Sequence, residues 1–125
     1  MDDLVQWLRK QFDEDEQVAR DADADNWRVG EGHDGGKVLM GQPGCVVAEA
    51  RFAEYADHAA RHDPARVLRE VEAGRRLIRA HDKWCEGRCE AKYPEAGFDA
   101  AHYWNLKVRA EVYADRPGYR QEWRP

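Results

Sequence analysis

The feature that most constrains this chain is a set of seven helix-breaking residues between positions 27 and 48: Gly30, Gly32, Gly35, Gly36, Gly41, Pro43 and Gly44. In a helix interior glycine costs about 1 kcal/mol against alanine and proline about 3 kcal/mol, so no helix crosses this stretch. Between these residues stand two short apolar pieces, Val38-Leu39-Met40 and Cys45-Val46-Val47, separated by Gly41-Gln42-Pro43-Gly44. That pattern predicts a small β-hairpin. It is not a phosphate loop, because no lysine and hydroxyl residue close it and no Gly-x-Gly-x-x-Gly opens a helix.

Helical patterns flank the hairpin. Leu4, Val5, Leu8, Phe12 and Ala19 share one helical face, with Asp3 and Gln6 as a capping-box-like start. A second helix is expected from about Ala50 to Arg61. Asp63-Pro64 then restarts the chain, since aspartate caps helices well and proline suits the first helical position. The helix from Pro64 to about His81 turns Val67, Leu68, Val71, Leu77 and Ile78 inward. From Asp82 to Gly97 no periodicity persists. Residues 106–113 fit a strand by strict alternation, but Ala101, Trp104, Val108 and Val112 also form a helical stripe. Good helix formers and Asp99 as a cap favour the helix. Asp115-Arg116-Pro117-Gly118 reads as a turn, after which Tyr119 and Trp123 pin the tail.

The expected fold is therefore α+β, mostly α, in a single domain spanning 1–125. It has an acidic first helix, a small hairpin, a long central helix, a Cys/His loop and a final helix with a pinned tail. With 125 residues, including five Trp, five Tyr and three Phe, the chain has enough bulk for a core. No apolar run approaches the ~20 residues that span a bilayer. Three cysteines cannot all pair within the chain, which points to the reducing cytoplasm.

Charge is unevenly spread. Residues 1–26 hold nine acids and three bases, a net of −6 in a chain of −5. The central helix carries five arginines (66, 69, 75, 76 and 79) against Glu70 and Glu72, a net of +3. Asp13, Glu14, Asp15 and Glu16, with Arg69 and Arg76, are the candidate partner-binding residues; complementarity within the chain is the simpler alternative. An overall negative charge disfavours nucleic acid.

Two clusters carry possible metal chemistry. His81, Cys85, Cys89 and His102 are two imidazoles and two thiols, a ligand set suited to tetrahedral zinc. On one unbroken helix His81 and Cys89 would lie about 12 Å apart along the axis, so the helix must break between Cys85 and Cys89, where Gly87 permits it. His58 and His62 share a helix face as in zinc metalloproteases, with Asp57 and Asp63 beside them as alternative ligands. Ala59 stands where such enzymes place the general base, however, and ordinary helix-end preferences account for the pair. Serine and threonine are absent altogether, which excludes their nucleophilic chemistry.

The stretches DDLVQWLRKQFDEDEQVAR, HAARHDPARVLREVEAGRRLIRAH and YADRPGYRQEWRP resemble a family of small actinobacterial and actinophage proteins of unknown function. The closing YADRPGYRQEWRP is the most specific part. The family resemblance implies a Cys-x-x-Cys after the central helix and a third Cys before the final one. This chain departs from that, with three residues between Cys85 and Cys89 and with His102 near the third position. Exchange of Cys for His keeps a zinc ligand. The resemblance also implies a bacterial or phage setting. The expected function is thus a small cytoplasmic interaction module, stabilised by zinc and binding a host or phage protein, rather than an enzyme. The alternative is a metal-dependent hydrolase or nuclease using His58, His62 and nearby carboxylates.

Overall fold

A computed structural model describes residues 3–32, 36–42, 44–85 and 98–125, with residues 84, 85 and 98–100 described by backbone alone. The elements are α1 (Asp3–Asp21), β1 (Arg28–Glu31), β2 (Lys37–Met40), β3 (Val46–Ala50), α2 (Ala53–Arg61), α3 (Pro64–Cys85) and α4 (Phe98–Glu111), then a short 3-10 turn (Gln121–Trp123). The architecture is α+β and mostly helical, as expected. The chain gathers into two compact units, residues 1–14 with 71–125 and residues 15–70.

Unit 15–70 holds a three-stranded antiparallel sheet in the order β1-β2-β3 rather than a two-stranded hairpin. β1 pairs Val29 with Leu39 and Gly30 with Val38, and β2 pairs Leu39 with Ala48. Val38 and Leu39, on opposite faces of the central strand, are both buried. β3 continues through Ala50, so α2 starts at Ala53 instead of Ala50. α2 packs on the sheet with Ala56 fully buried.

Asp63 caps α3 as expected: its Oδ1 accepts the Arg66 N–H at 2.8 Å, and its Oδ2 accepts the Trp27 N–H at 3.0 Å. Asp25 adds two further links. Its carbonyl accepts the Ala65 N–H at 3.0 Å and its carboxylate accepts the Gln42 N–H at 2.8 Å. Two carboxylates thus fix the connection between α1 and β1 against the start of α3 and the hairpin turn.

In the other unit the core is apolar from every contributing element. Leu4, Val5, Leu8 and Phe12 of α1 are all at most 1% exposed, and they are joined by Val71 and Ile78 of α3. α4 supplies Tyr103, Leu106 and Ala110, and the tail supplies Tyr113 and Trp123. Full burial of a large apolar side chain contributes about 1.5–3 kcal/mol, so these positions dominate the stability of the unit. Phe12 reaches α3 at Gly74, where a Cβ would stand 2.8 Å from its Cε1. Asp3 lies inside the first turn of α1, where its carboxylate accepts from Arg120 at 3.1 Å, rather than capping it.

The tail closes on Trp7. Arg116 to Tyr119 form a turn with Gly118 at φ +89°, a conformation that glycine adopts without strain. The Trp7 indole N–H donates to the Pro117 carbonyl at 3.1 Å, and its ring lies 5.7 Å from Tyr119 and 5.4 Å from Trp123. The pinned tail is therefore an aromatic cluster anchored also by hydrogen bonds from the Trp7 indole, from Arg116 to Gln11 and from Arg120 to Asp3, and its terminal segment is a 3-10 turn.

Candidate functional site

α4 is apolar on two faces, and only one of them builds the core. Tyr103, Leu106, Ala110 and Tyr113 recur at intervals of three and four and are all buried. The stripe that marked this segment as helical is the other one, and its large members face water: Trp104 is 48%, Val108 49% and Val112 63% exposed. The arrangement has a simple cause. Phe12 meets Tyr113 edge-on at 6.0 Å, and Trp7 meets Tyr113 at 6.4 Å. Packing the aromatic stripe inward satisfies these rings, which leaves the Trp104–Val108–Val112 stripe outside. Exposed large apolar residues in register on one helix face mark a binding surface more often than isolated ones do. A second set of exposed apolar residues, Val46, Val47, Phe52 and Tyr55, lies on and after the edge strand β3 in the other unit.

The four candidate zinc ligands are placed only in part. α3 extends past His81 to Cys85, and α4 starts at Phe98, one residue before Asp99. His81 is 7% exposed and its ring lies 6.1 Å from Tyr103, the neighbour of His102. His81 Nδ1 and His102 Nε2 are both shielded from water. The Cys85 side chain, Cys89 and the expected helix break at Gly87 lie outside the described residues. Among the described residues, no group of three or more His, Cys, Asp or Glu stands in position to hold a metal ion.

His58 and His62 do come together, with rings stacked 4.3 Å apart. His62 Nδ1–H donates to the His58 carbonyl at 2.8 Å, as at an ordinary helix end. Both oxygens of Asp63 are occupied by backbone N–H groups, so that carboxylate is a cap.

The charged candidates are largely answered within the chain. Asp13 pairs with Arg75 at 2.8 Å, Glu14 with Lys10 at 3.8 Å and Glu16 with Arg20 at 3.5 Å. Glu72 receives both Arg79 at 2.7 Å and Arg76 at 3.3 Å. The Arg79 hydrogen bond first, and Arg76 after it, hold the Glu72 carboxyl below its ordinary range. Arg69 is exposed and makes no ion pair among the described residues. Complementarity between the acidic helix and the basic helix is thus intramolecular at Asp13–Arg75.

Fold and site together define a small, mostly helical α+β protein with an exposed apolar stripe along α4, and no helix among the described residues is long and apolar enough to cross a membrane. The chain belongs to a family of unknown function, DUF6221, which matches residues 1–125. No curated protein and no solved structure matches it.

Proposed function

We propose that this chain is a non-enzymatic, cytoplasmic protein-interaction module whose docking surface is the outer face of α4, and that a structural zinc ion held by His81, Cys85, Cys89 and His102 stabilises it. The observation that carries the reading is the exposed stripe of Trp104 and Val108 on α4 and Val112 just past its end, opposite the face that already fills the core. Large apolar side chains left about half in water realise only part of their burial in folding. They gain on association, where a half-buried Trp is a favoured anchor. The Asp13–Glu16 acids, answered chiefly by bases of the same chain, become the control surface. The zinc proposal rests on ligand chemistry and on the placement of His81 near the end of α3 and of His102 near the start of α4, both with a ring nitrogen shielded from water. A host or phage protein is the class of partner that fits this reading.

The test is photo-crosslinking from a benzophenone side chain at position 108, with position 69 as a second exposed site. Crosslinked protein is identified by mass spectrometry, purified and rebound. Rebinding that is lost in Trp104→Glu and kept in the four-acid variant (Asp13→Asn, Glu14→Gln, Asp15→Asn, Glu16→Gln) supports the reading. Rebinding untouched by Trp104→Glu rejects it.

A further inference from the structure

We propose that His58 and His62 form a metal site of their own, a two-imidazole chelate at the end of α2 that takes a divalent transition-metal ion, copper(II) ahead of nickel(II) and zinc(II). The site is separate from the zinc cluster proposed above and does not depend on it. Both side chains are exposed, and a spacing of four residues sets them one above the other on the same helix face. Their rings already stack, with centres 4.3 Å apart and planes 27° from parallel. An ion that binds nitrogen at about 2.0–2.1 Å in tetrahedral geometry holds two donors about 3.3 Å apart. Rings stacked this closely reach that separation by a turn about χ2, and His58, whose side chain makes no hydrogen bond among the described residues, is the ring that turns.

The hydrogen bond of His62 is the feature that marks a ligand. Its Nδ1–H donates to the His58 carbonyl at 2.8 Å. Metal-bound histidines almost always give their second ring N–H to a carbonyl, a carboxylate or water, which fixes the tautomer and aims the ring. A metal takes the neutral imidazole, and a neutral ring with its proton on Nδ1 keeps its lone pair on Nε2. Helix-end preference accounts for each imidazole singly. It does not favour the two together, because cationic rings at this spacing repel each other. Shared coordination of one ion turns the same proximity into a gain.

The neighbouring charges are on balance negative. Glu54 lies one turn before His58 on the same stripe and Asp57 stands next to it; both are exposed, and neither makes an ion pair among the described residues. Arg61 opposes them, but its long exposed side chain is able to turn its charge into water. Imidazole suits copper, nickel and zinc, and simple nitrogen donors follow the order that puts copper(II) first. Among the described residues no third ligand is in position, so water fills the other coordination sites and the ion exchanges readily.

The test is equilibrium dialysis of the untagged full chain against nickel(II), which leaves thiols unoxidised, at concentrations up to about 1 mM. Wild type should bind an ion that the Cys85→Ser/Cys89→Ser and His33→Asn variants also bind, and that His58→Asn and His62→Asn each bind about tenfold more weakly or worse. His58→Asn is the decisive variant, since it removes no hydrogen bond and should keep the circular-dichroism melt of the metal-free wild type. A chain that binds no nickel(II) in this range overturns the proposal, as does binding undiminished by His58→Asn or abolished by the double cysteine variant. Retention on iminodiacetate resin should fall from copper(II) to nickel(II) to zinc(II), and tighter retention on zinc(II) than on copper(II) would overturn the ranking.

Discussion

Gly74→Ala is the substitution for which local propensity and packing give opposite answers. Gly74 sits inside α3, where exchange for alanine would ordinarily stabilise a helix by about 1 kcal/mol. A Cβ there would stand 2.8 and 2.9 Å from Cε1 and Cε2 of Phe12, and closer still to Cζ. Real Cβ atoms do not approach that near, so the ring or the helix must shift. The ring has little room, because Phe12 is fully buried, with Tyr113 at 6.0 Å and the Arg109 guanidinium at 5.8 Å. Overpacking of this kind costs about 1–3 kcal/mol, and displacing Phe12 forfeits part of its burial. The cost exceeds the propensity gain, leaving a net loss of about 1–2 kcal/mol. For a chain of this size that lowers Tm by roughly 3–10 °C. Differential scanning calorimetry measures it directly. A double-mutant cycle supplies the mechanism: with Phe12→Leu in place the alanine should become harmless, giving a coupling of about 1 kcal/mol or more. A Tm equal to or above that of the wild type for Gly74→Ala alone would refute the reasoning, since propensity would then have won.

Three further outcomes follow from the same contacts. Asp63→Ala should cost about 2 kcal/mol in urea unfolding, more than the ~1 kcal/mol of a simple cap, because the Trp27 N–H also loses its acceptor. Glu72 has its carboxyl held below the ordinary range by Arg79, so its contribution is fully present above the unfolded-state value of about 4.3 and fades as pH falls through the lower folded value. The Tm difference between wild type and Glu72→Gln should accordingly vanish on acidification, and a difference that grows would contradict it. Native mass spectrometry of purified protein should show close to one zinc ion per chain, lost in Cys85→Ser/Cys89→Ser; retention of the metal by that variant would remove the site.

Much of the fold was legible because single residues carried unambiguous signals. The Leu4–Leu8–Phe12 spacing has one helical solution, and Asp63-Pro64 marks a helix start that the two hydrogen bonds of the carboxylate now account for. β1 was not legible. Arg28, Val29, Gly30 and Glu31 have one strongly strand-forming residue among them, and they become a strand by pairing with Lys37–Met40. The orientation of α4 was hidden for a different reason. Its two stripes are about equally apolar, and the choice between them depends on aromatic partners just over a hundred residues from Tyr113, at Trp7 and Phe12. Of the zinc candidates, the ligand types were readable, and the Cys85 side chain and Cys89 lie outside the described residues.

The central claim is that the outer face of α4 serves binding and not folding, and Trp104→Glu separates the two. Its stability to urea should fall by no more than about 1–2 kcal/mol, because the side chain is 48% exposed and forfeits only the part of its burial that it has. The same protein should not rebind a partner crosslinked at position 108. A midpoint that falls by several kcal/mol would show that Trp104 belongs to the fold, and unchanged association in a stable Trp104→Glu protein would show that the face binds nothing.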